Sequence, residues 1–406
     1  MSIRKKLIIC LLHLGIIAHG QSLEDYIQEG LANNPGLKSK HQEYLAALET
    51  IDQSGALPDP QLAAGYFISP VETRVGPQRA RFSFTQKLPW FGTLTQKKSV
   101  SSEMAQALLA AYELEKKSFV LALTSQWYTL YELDRNIVLA QQNLDLLKSF
   151  ERLALTKYES GKSSLVDVIR VQLQFEAAEE KLAALRDQRM LQQSDLNLLI
   201  DKPKGSEVKL PDTLNSSFQI TFDSVELLAD HPSIDVIDHK LNQWTAQQQV
   251  AELSNKPSFG VGMDYAIVGN RENIDIVDNG KDIFMPMVSL SLPIFSKKNK
   301  GKVNEVIIQR DATKNLRAQK INDLTLFHEQ ALQEYKDGSR KINVYQSIIN
   351  KSEQALRILI SSYSASDQDF EDVLKMQQSI IENKMALEAA IKKMKIAHAK
   401  FEYLKN

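Results

Sequence analysis

Two short polar turns of this chain carry acidic residues at positions where they could act together. Tyr158-Glu159-Ser160-Gly161-Lys162-Ser163-Ser164-Leu165-Val166-Asp167-Val168 breaks a long helical pattern, and Tyr363-Ser364-Ala365-Ser366-Asp367-Gln368-Asp369-Phe370-Glu371-Asp372-Val373 breaks a second one. Asp167 stands in the first turn region. Asp367, Asp369, Glu371 and Asp372 crowd the second, with Lys375 three residues on. Carboxylates at this density can attract cations through their summed field. They can equally serve as helix N-caps and first-turn acids, and at this point both readings stand. Neither turn carries a nucleophile, a base and an orienting group in the order that covalent catalysis needs.

Other chemistry is weaker. Gly161-Lys162-Ser163 imitates the end of a phosphate-binding loop, but it follows a helix rather than a strand and lacks the leading glycine. Met263, Met285 and Met287 offer thioethers, which suit soft metals. By alternation Met285 and Met287 share the polar strand face with Ser289 and Ser291, so strand packing accounts for them. His41, His231, His239, His328 and His398 show no ligand spacing. The expectation is no enzyme, no cofactor and no metal site. A net charge of -1 points to no nucleic-acid partner.

The elements that carry the turns are repeated. Tyr158 maps to Tyr363, Leu165 to Phe370, Asp167 to Asp372, Val168 to Val373 and Gln172 to Gln377, all at an offset of 205 (363 − 158). Asn34-Pro35, Pro60 and Gly65 recur as His231-Pro232, Pro257 and Gly262, at an offset of 197 (232 − 35). Ordered landmarks at a near-constant spacing argue for internal duplication. The expected organisation is a signal peptide over 1–20, a first repeat over 21–205, a linker over 206–222 and a second repeat over 223–406. Arg4, Lys5 and Lys6 followed by the apolar run Leu7 to Ala18 carry the signal-peptide expectation, with cleavage before Gln21. Cys10, the only cysteine, sits inside that run and too early for a lipid anchor.

Within each repeat the period changes from 3.6 to 2 and back. Strands are expected at about 61–68, 79–88, 258–268 and 283–292. In the second, Ala80, Phe82 and Phe84 alternate with Arg81, Ser83 and Thr85. Strand length and alternation suit a membrane strand with a polar lumen side; a soluble hairpin on a core has the same local pattern. Between the strands and the turns lie long helices. Phe119, Leu123, Trp127, Leu130, Leu133, Ile137, Ala140, Leu144 and Leu147 step by threes and fours, a coiled-coil seam. A helix of about 60 residues would be roughly 90 Å long. Four strands cannot close a barrel, and edges are forbidden in lipid, so a membrane reading requires several copies to pool their strands.

Taken together, the tandem halves, the Asn34-Pro35 and His231-Pro232 entries, the paired strands and the two turns followed by Asp-Val resemble the TolC-type outer-membrane efflux proteins, over essentially the whole sequence after residue 20. Thr85 to Gly92 (TQKLPWFG) is most similar to the heavy-metal, CusC/CzcC-like branch. The resemblance implies a mainly helical fold with a membrane β-barrel: a homotrimer whose twelve strands form one barrel in the Gram-negative outer membrane and whose helices form a second barrel in the periplasm. It implies a passive exit duct, exporting metal cations or small toxic compounds with a periplasmic adaptor and an inner-membrane transporter. A type I secretion duct is the alternative, and a periplasmic adaptor or coiled-coil scaffold a further one. The turns at Gly161 and Ser366 would form the periplasmic tip, with Asp167, Asp367, Asp369, Glu371, Asp372 and Lys375 at the gate. The family's second aspartate falls on Lys375, and its arginine falls on Gln368. Threefold repetition of the second turn's four acids would give twelve carboxylates near one mouth. Trp90, Phe91 and Phe295, where strands hand over to helices, are expected at the membrane interface.

Overall fold

The computed structural model describes residues 22–211, 213–214, 229–273, 275–365 and 369–405. The expected signal peptide, Ser366, Asp367 and most of the expected linker lie outside the described residues. The order of elements is α1 (Leu23–Asn33), α2 (Pro35–Gly55), β1 (Gln61–Thr73), β2 (Gly76–Leu88), α3 (Thr93–Glu159), α4 (Leu165–Leu199), α5 (Pro232–Leu253), β3 (Ser258–Val268), β4 (Ile283–Ser291), α6 (Ser296–Ala365) and α7 (Phe370–Leu404). They form two compact units, and each unit draws on both halves of the sequence.

The first unit takes α1, α3 from Phe119, α4, α6 from Ala331 and α7 to Lys400. Ser22 caps α1 in a reciprocal box with Asp25, which satisfies two otherwise unpaired backbone donors. Gly30 lets α1 close on α3: a Cβ there would stand 2.5 Å from the Phe119 ring. The predicted seam of α3 is inside, with Leu123, Trp127, Leu130, Ala140, Leu144 and Leu147 all buried. At the turn end, Leu147, Phe150 and Ala154 of α3, Val168 and Val171 of α4, Tyr363 of α6 and Phe370, Val373 and Leu374 of α7 make one apolar cluster.

The second unit holds α2, the sheet, α5, the first part of α3 and the first part of α6. His231 caps α5, and Pro232 fills its first turn, where a missing N–H costs nothing. Ile234, Leu324 and Leu404 form a small core beside it. The strands pair antiparallel in the order β1-β2-β3-β4. Their apolar sets coincide in register: Leu62 faces Phe84, Phe84 faces Met263, and Met263 faces Pro286.

One expectation needs correction. Ser69 to Gln78 reads as a polar loop, yet Val71, Glu72 and Thr73 pair with Gln78, Pro77 and Gly76. The register slips between Tyr66 and Val71, around Pro70, which cannot donate to a ladder. The slip breaks the alternation that the sequence reading follows, and the strand continues beyond it. The connection shrinks to a tight turn at Gly76, whose φ of 135° favours glycine. The β3–β4 loop then docks on that hairpin, with Gly280 N–H donating to the Val75 carbonyl at 2.7 Å and Gly269 N–H to Pro77 at 2.8 Å.

Candidate functional site

The α3–α4 turn is built by its own sequence. Lys162 N–H donates to the Lys157 carbonyl at 2.8 Å, and Gly161 N–H to the Tyr158 carbonyl at 2.9 Å. These two bonds are the Schellman closure of a helix C-terminus, which requires a left-handed residue between them. Gly161 supplies it at φ 71°. Ser164 then caps α4, its Oγ accepting from Val166 N–H at 3.1 Å. Asp167 follows in the first turn of α4, where the helix dipole favours a negative charge.

Lys157 closes the α3 end onto α6. Its buried ammonium donates to the Tyr363 carbonyl and lies 4.1 Å from the centre of the Tyr363 ring. The Tyr363 ring meets Phe370 at 4.5 Å, and Phe370 meets Phe150 edge-on at 5.9 Å. Burial pushes the Tyr363 phenol up from its ordinary range.

The acidic residues then meet a partner that sequence reasoning missed. Arg170 lies three residues after Asp167, on the same face of α4. Its guanidinium stands 3.7 Å from Asp167, 3.4 Å from Asp369 and 3.0 Å from Glu371. One cation therefore ties the start of α4 to the start of α7. Lys375 pairs with the other oxygen of Glu371 at 2.5 Å. The Lys375 ammonium, with the Arg170 guanidinium beside it, holds the Glu371 carboxyl below the usual range, and Glu371 in turn raises Lys375. The second turn is thus partly neutralised rather than a bare ring of carboxylates. Asp372 is exposed and stands outside this cluster. The signal for Arg170 was its spacing from Asp167; its partners across the turn lie about 200 residues away and leave no local trace.

In the other unit, the sheet is turned inside out relative to a soluble one. Leu62, Tyr66, Ile68, Phe82, Phe84, Val261, Met263, Phe284 and Val288 are exposed on one face. On the opposite face Arg81 bonds a buried Asp264, and Met285 and Met287 sit across from Asp264 and Gly262. Trp90 stacks on Phe259 at 5.8 Å and packs the strand-to-helix corner, whereas Phe91 and Phe295 are exposed.

A mainly helical chain with four long antiparallel strands, apolar outward and polar inward, has the fold of an outer-membrane channel protomer. Residues 26–200 match the family model of outer membrane efflux proteins. Among solved structures, CusC superposes with a TM-score of 0.81 at 18% identity, covering 95% of this chain and 92% of that one. The outer membrane protein VceC of Vibrio cholerae gives 0.78 at 18% identity over 94% and 95% of the two chains, and the outer-membrane channel OprN gives 0.82 at 15% over 94% and 89%. Nodulation protein T of Rhizobium leguminosarum bv. trifolii is 21% identical over 393 residues, 91% of this chain and 82% of the relative. The sequence match to outer membrane efflux proteins thus covers residues 26–200, and over the described residues the fold is that of these channels.

Proposed function

We propose that this chain is the outer-membrane exit channel of a tripartite efflux pump, a passive duct in the Gram-negative outer membrane. The observation that carries this reading is the sheet. Its apolar face is bare while its Arg81–Asp264 pair is turned to the other side. In water that arrangement exposes large side chains at a cost of about 25 cal/mol for each Å²; against lipid, with a wet lumen behind, it is the stable one. Both outer strands, β1 and β4, leave unpaired edges, so the sheet closes only by joining copies. Three copies give a twelve-stranded barrel. The two tandem repeats, 21–205 and 223–406, then place six turns on one periplasmic rim.

In this reading the tip is the gate. Asp167, Asp369 and Glu371 are held by Arg170, and Asp372 is the acid left to face passing cations. Opening requires the starts of α4 and α7 to part, which an adaptor and an inner-membrane transporter would drive. The duct contributes no covalent chemistry. Metal cations and small toxic compounds are the cargo classes that the acidic tip and the resemblance favour. Membrane fractionation and sizing in mild detergent test the proposal: recovery in the outer membrane as a trimer is expected, and a soluble periplasmic monomer would refute it.

A further inference from the structure

All four handovers between helix and strand lie at one end of the sheet, since Gln61 pairs with Thr85, Leu88 with Phe259 and Ser258 with Ser291. The two strand-to-strand connections lie at the other end. Charge is divided unequally between these ends. Residues 56–60, 86–98, 254–258 and 290–302, around the handovers, contain eight lysines and one acid, Asp59. Residues 69–79 and 268–282, at the connections, contain four basic and five acidic residues. In a chain of net charge -1, the helix end of the sheet is a strongly positive collar.

We propose that this collar binds the phosphate headgroups of anionic phospholipids in the periplasmic leaflet of the outer membrane. The inference rests on the channel reading above and names a lipid partner for it. β2 and the start of α3 contribute Lys87, Lys97 and Lys98, and Lys256 precedes β3. The start of α6 contributes Lys297, Lys298, Lys300 and Lys302. All eight are exposed, and among the described residues only Lys98 has an ion pair, with Asp52 at 2.8 Å. Helix capping does not account for the lysines of α6. Its first turn holds no acid, and cations there oppose the helix dipole. A counter-charge from outside the chain resolves that conflict.

What adjoins the lysines selects a lipid headgroup over a free anion. The bare apolar residues of β4, Val288 and Leu290, are followed by exposed Leu292, Ile294 and Phe295, the last two 74% and 77% exposed. Phe91, just before the lysines of α3, is 80% exposed. The surface read above as lipid-facing therefore adjoins the positive collar. From Lys297 to Lys302 the helix advances about 7.5 Å. That matches one headgroup layer, since a bilayer of about 40–45 Å with a core of about 30 Å leaves about 5–7 Å on each side. Lysine stems lie along apolar surface while their ammonium groups reach the phosphates. A basic cluster beside a membrane-spanning segment is attracted to an anionic lipid surface.

The test uses Phe295→Trp as a reporter, two residues before Lys297. The full chain is reconstituted in vesicles of phosphatidylcholine and phosphatidylglycerol, with one lipid and then the other brominated. Bromine quenches only an indole that it touches, so quenching above that of the unsubstituted chain reports the lipid beside the collar. The association constant for phosphatidylglycerol should exceed that for phosphatidylcholine by about fivefold or more, fivefold being the effect of one lysine at an anionic surface. In 1 M salt the ratio should fall toward one. Changing Lys297, Lys298, Lys300 and Lys302 together to glutamine should have the same effect at low salt, and changing them to arginine should keep the preference. Equal association of the two lipids, or a preference unmoved by salt or by glutamine, overturns the collar and leaves the channel standing. Quenching by neither lipid removes the lipid-facing reading of the sheet, and the collar with it.

Discussion

Replacing Arg170 with alanine should loosen the channel tip. Among the described residues the guanidinium is the one group that binds acids from both turns: Asp167 on its own helix, and Asp369 and Glu371 at the start of α7. Its side chain is partly exposed, so each cross-helix pair falls in the surface range, about 0.2–1 kcal/mol. Two such pairs bias the closed arrangement by about 0.4–2 kcal/mol. Because 1.4 kcal/mol is a factor of ten in an equilibrium, the open fraction of one protomer's turns should rise by roughly 2- to 30-fold, if the pairs are absent from the open state. Removal of the cation also leaves Asp167, Asp369 and Glu371 facing one another, which adds repulsion in the same direction. The assay is single-channel recording in planar bilayers. Arg170→Ala should raise the frequency of large-conductance events, and 1 M salt should bring the wild type toward the variant, since it shortens the screening length to about 3 Å. Arg170→Lys should fall between them, because a lysine cannot span three carboxylates with a rigid fork. Indistinguishable conductance and gating in Arg170→Ala at low salt would refute the assignment of this cluster as the lock.

Asp372→Ala should lower cation preference in reversal-potential measurements, since Asp372 is exposed and outside the Arg170 cluster; an unmoved reversal potential would remove it from the pore. Gly161→Ala has open space for its Cβ but a φ of 71°, so it should cost about 1 kcal/mol of backbone strain, read as a shift in thermal midpoint; no shift would mean that the turn relaxes to another geometry. Ile68→Arg places a charge on the exposed apolar face of β1 and should cost about 2–4 kcal/mol near the bilayer midplane, visible as reduced assembly in the outer membrane; normal assembly would contradict a lipid-facing position. His231 is fully buried, its Nδ1 accepting from Ser233 N–H at 3.2 Å, and burial lowers its pKa to about 4 from an ordinary 6.5. The unfolded chain therefore takes up a proton near pH 6.5 that the folded chain refuses until about pH 4. Stability from this group is complete above pH 6.5 and falls, by up to about 3 kcal/mol, as pH drops toward 4. In urea titrations between pH 7.5 and 4.5, His231→Asn should retain the cap and lose that slope; an equal slope in both would place the acid sensitivity elsewhere.

What could be read from the sequence was whatever has a period or a fixed local chemistry. The seam of α3 announces itself because a buried stripe must recur every three or four residues. The Gly161 turn does so because a Schellman closure needs a left-handed residue at that place. The β1 extension past Pro70 was illegible because a register slip moves the apolar residues out of phase, and the eye following alternation stops there. Arg170 was illegible for a different reason. Its role depends on which helix starts lie side by side, and Asp369 is 199 residues away. Duplication makes that arrangement partly recoverable: once Asp167 and Asp372 are seen as counterparts, the residues around them belong to one structural neighbourhood, and an arginine in either copy can serve the acids of both.

The same duplication explains why the acidic residues of the second turn do not destabilise it. A chain built from one repeated unit would place like charges at both turns and find no partner at either. Here the halves differ. The start of α4 carries Asp167 and Arg170, while Asp369, Glu371 and Asp372 stand at the start of α7, with Lys375 paired to Glu371. Leu165 and Ile169 of α4 are exposed where α7 buries Phe370 and Leu374. The Arg170 cluster joins residues of one chain only, so Arg170→Ala acts on each chain's own pair of turns.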